Sequence, residues 1–153
     1  MCCRKASALL ALIACAAPGA GKDRGVADTI QTRELYSGTG PTAGELGPGV
    51  SVVLDAAGWS ALQLKVPEMH PLRRVAPPDW DKSAVLFVRV LADSGTRAEA
   101  RSVTREGDLA VRVALRSPQP PVLAVVPAMA WLLLIVPRDA VAGRPPGRVE
   151  VVR

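Results

Sequence analysis

His70 is the single histidine of the chain, and Glu68 stands two residues before it in the loop Glu68-Met69-His70-Pro71. A general base needs an oriented partner and a nearby nucleophile, and this segment offers neither on its own. A lone loop histidine is ordinarily solvated, so it is read here as no catalyst. Asp79 and Asp81 flank Trp80 and have the look of a calcium loop. Lys82, Ser83 and Ala84 follow in place of the alternating oxygen ligands and terminal acid that such a loop requires, which makes the segment a turn into a strand. The run Ser37 to Gly49 (SGTGPTAGELGPG) superficially suggests a phosphate cradle, but it holds no lysine and opens no helix, so it reads as a mobile loop. Ser60 and Ser83 lie in no Gly-x-Ser-x-Gly elbow. The expectation is a protein with no catalytic residue, no metal and no cofactor.

The three cysteines, Cys2, Cys3 and Cys15, all fall at the amino terminus. Arg4 and Lys5 precede an uncharged stretch of 12 residues, Ala6 to Ala17, too short for a membrane span of about 20. A basic start, a short apolar middle and small residues have the layout of a secretory signal. Leu12-Ile13-Ala14-Cys15 resembles the lipobox of bacterial lipoproteins, in which the cysteine becomes the first mature residue. That resemblance implies lipidation of Cys15 by a thioether-linked diacylglycerol and an acylated amino group, and two or more chains anchor stably. Ala16 is not the aspartate that retains many such proteins at the inner membrane, so the implied address is the cell envelope, at the outer membrane of a diderm cell. The competing reading is an ordinary signal cleaved near Ala20. Residues 1–14 are then the signal, 15–27 a lipidated cysteine and flexible tether, and 28–153 one β-rich domain. With no cysteine after residue 15, disulfides, thiolate nucleophiles and zinc-thiolate sites are excluded from the domain.

The whole chain has 153 residues, 49% apolar and 22% charged, which is a globular balance. Its surplus of five positive charges falls to three once Arg4 and Lys5 leave with a signal. That surplus is dispersed, and aromatics make up 3%, so no nucleic-acid partner is expected. Thirteen glycines and 14 prolines imply many turns between short ordered segments.

Strand signals dominate the remainder. In Leu109 to Arg116, Leu109, Val111, Val113 and Leu115 face one way and Ala110, Arg112, Ala114 and Arg116 the other, the strict period two of a strand with one solvated face. Ala84 to Leu91 and Ala130 to Val136 are apolar almost throughout, as expected of strands covered on both faces. Arg97 to Arg105 is polar and reads as an edge or solvent-facing strand, joined to the next by a tight turn at Glu106-Gly107-Asp108. Thr29 to Tyr36, Gly49 to Leu54 and Arg148 to Arg153 complete the set, the first two linked by a Gly-rich turn over 38–49. The apolar block Val122 to Val136 is 15 residues long and divided by Pro127, short for a span. One helix fits Ala56 to Leu64, capped by Asp55, with Trp59 and Leu62 on its inward side. The expected fold is mainly β, an antiparallel sandwich or partly closed barrel of six to seven strands with one short helix.

The order of these features resembles the carboxy-terminal domain of PrcB-type protease-complex subunits, which are bacterial lipoproteins. The resemblance rests on VVLDAAGWSAL (52–62), PPDWDKSAVLFVRV (77–90), LAVRVALRSPQPP (109–121) and WLLLIVPR (131–138), and covers roughly residues 50–140. The chain departs from that pattern at Trp80, where relatives usually have phenylalanine, and over Ser94 to Ala100, which lacks their Gly-Gly-Tyr turn. The resemblance implies a non-catalytic accessory subunit that binds and stabilises a secreted protease. Edge-strand pairing is the mode of engagement expected of a β-rich binding module, and Trp80, Arg97, Arg101 and Arg105 are the candidate partner-binding residues. For Trp80, core packing is the favoured reading. Arg73 and Arg74 are further candidates for an acidic partner or lipid headgroups, against a solvated face. The alternative function is a ligand-binding or envelope-structural lipoprotein, with a cavity between the sheets or a contact to peptidoglycan.

Overall fold

A computed structural model describes residues 28–41, 46–65, 76–106, 108–117, 126–143 and 147–152. The expectations for the signal, Cys15, the tether, Glu68, His70, Arg73 and Arg74 lie outside these residues. Eight strands and two helices are described in the order β1 (Asp28–Ile30), β2 (Arg33–Pro41), β3 (Gly49–Val53), α1 (Ala56–Lys65), β4 (Ser83–Asp93), β5 (Arg97–Glu106), β6 (Asp108–Arg116), β7 (Pro127–Pro137), α2 (Arg138–Val141) and β8 (Arg148–Val152). They form two four-stranded sheets, β1-β5-β6-β8 and β2-β7-β4-β3, packed as a sandwich. Every pairing is antiparallel except that of β6 with β8, which is parallel. No helix among the described residues is long and apolar enough to cross a membrane.

The continuous apolar runs are central because neither of their faces can be left in water. β4 and β7 pair from Ser83↔Pro137 to Asp93↔Pro127 in the middle of their sheet. Alternate residues Leu86, Val88, Leu132 and Leu134 point between the sheets, where they meet Val103, Leu109, Val111 and Val113. The other set, Val85, Phe87, Trp131 and Leu133, faces outward and is covered by Trp59 and Leu62 of α1. Each fully buried Leu or Phe side chain contributes about 1.5–3 kcal/mol. Pro127 does not interrupt β7: it is the first residue of the strand, where a missing N–H is tolerated.

α1 forms where the sequence places it. Asp55 Oδ1 accepts the Gly58 N–H at 2.7 Å, satisfying a donor that the first turn leaves unpaired. Arg138 then ties its entry down: Nη1 donates to Leu54 O and to Trp80 O, both at 2.6 Å, while the Arg138 N–H donates to Lys82 O at 2.9 Å. The four-residue helix α2 that begins at Arg138 has no counterpart in the sequence reading.

Two expectations are corrected. The segment Thr29 to Tyr36 is not one strand: the chain breaks at Gln31-Thr32, so that β1 joins one sheet and β2 the other. Ser37 to Pro41 is not a loop but the second half of β2, paired with Leu132 to Ala128 of β7. Arg97–Glu106 has a solvent-facing side but lies inside its sheet between β1 and β6. β1 covers only Val103 to Arg105, however, leaving Arg97 to Ala100 unpaired on that side. A strand of three residues hides only part of an edge.

Candidate functional site

An opening between the sheets follows from residue size on β2. Ser37 and Thr39 stand opposite Leu132 and Ala130, whose side chains point between the sheets. Packed sheets lie about 10 Å apart, and a serine and a threonine are too short to fill that gap at the sheet edge. On the opposite face of β2 the space is filled closely. Tyr36 stacks on Trp131 with ring centroids 5.2 Å apart, and Gly38 lies against the same indole.

The result is a groove of about 400 Å³ along β2, closed below by the turn from β4 to β5. It is lined by β2 from Glu34 to Thr39 and by Gly95, Thr96 and Arg97. Thr96 is buried, its N–H donating to Asp93 O at 3.0 Å, so the floor is fixed. Arg97 Nη2 donates to Glu34 Oε1 at 3.0 Å across the rim, joining the two sheets with an exposed ion pair. Two strand edges meet here. Among the described residues β2 pairs with β7 alone, and the start of β5 pairs with β6 alone. Alternate backbone N–H and C=O groups of each edge are therefore turned to the groove, the arrangement that accepts an added strand. Among the described residues the lining holds hydroxyls from Ser37, Thr39 and Thr96.

The four candidate partner-binding residues do not form one patch. Arg97 is at the groove. Arg101 sits at an irregularity of β5 and lies 3.8 Å from Glu99. Arg105 is at the far end of β5, roughly 26 Å along the strand from Arg97, and donates to Asp28 Oδ2 at 3.0 Å, fastening β1. Trp80 is half-buried on the other side of the second sheet, its ring 6.3 Å from that of Trp59. Its indole N–H is buried with no acceptor among the described residues. Asp79 organises the turn around it, Oδ1 accepting the Asp81 N–H and the carbonyl accepting the Ser83 N–H at 2.8 Å. No group of three or more metal-ligating side chains occurs among the described residues.

A buried arginine was not singled out in the sequence. Arg89 lies in the apolar run of β4, is 8% exposed, and donates from Nε to Gly47 O at 2.7 Å and from Nη1 to Ser51 Oγ at 2.9 Å. Its guanidinium stacks 4.8 Å from the centre of Phe87, and burial pushes its pKa down. The one charged residue in AVLFVRVL was the available signal. Its role here is to hold the end of the β2–β3 connection against the sheet.

The chain matches no family model, no curated protein and no solved structure.

Proposed function

We propose that the chain is a lipid-anchored lipoprotein of the cell envelope whose β-sandwich is a non-catalytic protein-binding module. The observation that carries the binding reading is the groove between two unpaired strand edges, β2 and the start of β5. An extended segment of a partner adds to one of these edges, its backbone supplying affinity and the Arg97–Glu34 rim supplying selectivity. The lipobox-like Leu12 to Cys15 supports the anchor, and the order of elements that resembles PrcB-type subunits supports a secreted protease as the partner. Trp80 and Arg105, both tied into the fold, are secondary to Arg97 in this reading.

The test is site-specific photo-crosslinking in the cells that make the protein, with the probe at Thr39 or Arg97 and a control probe at Leu64 on α1. The same partner captured from both groove positions and not from Leu64 is the expected result, reduced when Cys15→Ala removes the anchor. Equal capture at all three positions would sink the groove as the docking site.

The groove volume also falls within the range of small-ligand sites, about 300–1,000 Å³. A ligand-binding lipoprotein is therefore the second reading. Native mass spectrometry of the purified protein separates the two, because a small ligand adds a discrete mass that Ser37→Leu removes.

A further inference from the structure

Arg89 is a buried cation that the fold leaves without a counter-ion. By alternation along β4 it stands on the outer face of the second sheet with Val85 and Phe87, and it is 8% exposed. An uncompensated charge is costly to bury, and burial already works against this one. Among the described residues Arg89 forms no ion pair. The next acid along β4 on the same face, Asp93, is four residues on, roughly 13 Å along the strand.

Its donors are also incompletely used. A guanidinium carries five N–H bonds. Arg89 uses one at Nε for Gly47 O and one at Nη1 for Ser51 Oγ, so three lack an acceptor among the described residues, two of them on Nη2. The sealed polar atoms without a partner are the indole nitrogens of Trp80 and Trp131, and Nη2, which is not one of them, opens to solvent. Gly49, the register partner of Arg89, keeps that opening clear. Its φ is +146°, which favours glycine, and a Cβ there would lie 3.7 Å from Nη2. Ser51 Oγ accepts from Nη1 and still has its own hydrogen to donate. The next residues out on this face are apolar: Leu91 is 58% exposed and pairs with the buried Met129.

We propose that Arg89 and Ser51 bind the carboxylate of a small amphiphile, a medium-chain acyl carboxylate whose chain lies across Leu91. The free N–H bonds of Nη1 and Nη2 stand side by side and match the two oxygens of a carboxylate, and the Ser51 hydroxyl adds a third donor. One positive charge balances one negative charge, whereas a phosphate dianion would bring an excess and has no apolar part to cover Leu91. Asp93, the next residue out on this face, ends the apolar shelf and so limits the length of the chain. Binding supplies the counter-ion that the fold omits. The site lies on the outside of the second sheet, while the β2 groove opens between the sheets, so it stands apart from that groove and from both readings of it.

The experiment titrates the full chain with octanoate by isothermal calorimetry, against octanamide, acetate and inorganic phosphate. Octanoate is expected to saturate one site. Octanamide lacks the charge, and acetate and phosphate lack the chain, so each should bind about tenfold more weakly or worse. Arg89→Gln is expected to lower octanoate affinity by about tenfold or more. Two variants that disturb less of the core carry the test should that one fail to fold. Ser51→Ala is expected to cost about fivefold, and Leu91→Glu, which sets a like charge beside the ligand, about tenfold. Glu45 stands two residues before Gly47 in the sequence, and Glu45→Gln is expected to leave the affinity within about twofold. Octanamide binding as tightly as octanoate, parent-like binding in both Ser51→Ala and Leu91→Glu, or binding that appears only in Glu45→Gln would each overturn the proposal.

Discussion

Gly38 of β2 lies flat beneath the indole of Trp131, so close that a Cβ at Gly38 would sit 2.6 Å from Cζ2 of the ring. The ring has no room to yield. It is 3% exposed, stacked on Tyr36 and met edge-on by Phe87 at 6.3 Å between centroids. Gly38→Ala is therefore expected to destabilise the domain by about 1–3 kcal/mol through overpacking. Urea unfolding followed by circular dichroism measures it. Trp131→Phe in the same chain should recover part of the loss, because the two residues share one contact.

Arg138 joins three segments that are distant in sequence. Nη1 donates to Leu54 O and Trp80 O, at the entry of α1 and in the turn before β4. Arg138→Ala removes both charge-assisted hydrogen bonds and leaves two carbonyls to find water. A loss of about 2–3 kcal/mol is expected, with Trp59 and Trp80 becoming more accessible to a fluorescence quencher. A variant as stable as the parent, with quenching unchanged, would show that the clamp contributes nothing.

The acid side of the stability curve should bend where Glu99 and Glu150 titrate. Both carboxyls are held below their usual range, Glu99 first by its hydrogen bond from Arg116 and Glu150 first by its hydrogen bond from Arg148. Their folded values lie below the unfolded ones, so their stabilisation is complete at neutral pH. It begins to fade as pH drops below about 4.3, the ordinary glutamate value, and is gone once the folded values are passed. Both groups are at the surface, so the effect is small and salt-sensitive. Glu99→Gln with Glu150→Gln should flatten the melting-temperature profile in that window, and a profile as steep as the parent's would assign the acid loss elsewhere.

Much of the domain follows from local pattern. The alternation of Leu109 to Arg116 marked a strand because a strand's side chains have period two, and on the outer face of β6 Arg112 and Arg116 are exposed while Ala110 and Ala114 are buried. The apolar runs that became β4 and β7 had to be central because an element apolar on both sides must be covered on both sides. Asp55, Trp59 and Leu62 placed α1 by capping and spacing, both of which are local.

Local pattern was also misleading where glycine and serine accumulate. Ser37-Gly38-Thr39-Gly40 reads as a loop by composition, yet it is strand β2, because pairing with β7 and the Trp131 ring reward small residues there. The small residues that hid the strand also open the groove. Which edges remain unpaired depends on where β1 stops and on which sheet β2 joins, and no residue type encodes that. In the same way, the sequence shows dispersed arginines with no charge run. Only register and alternation, acting across β5, β6 and β8, gather them around two glutamates on one face. Sequence by itself determined β4, β6, β7 and α1, since apolar runs, alternation and capping depend on neighbours a few residues away, but not the extent of β2. Tertiary structure alone decided the groove and the charged face, since both are made by residues that meet only when distant strands pair.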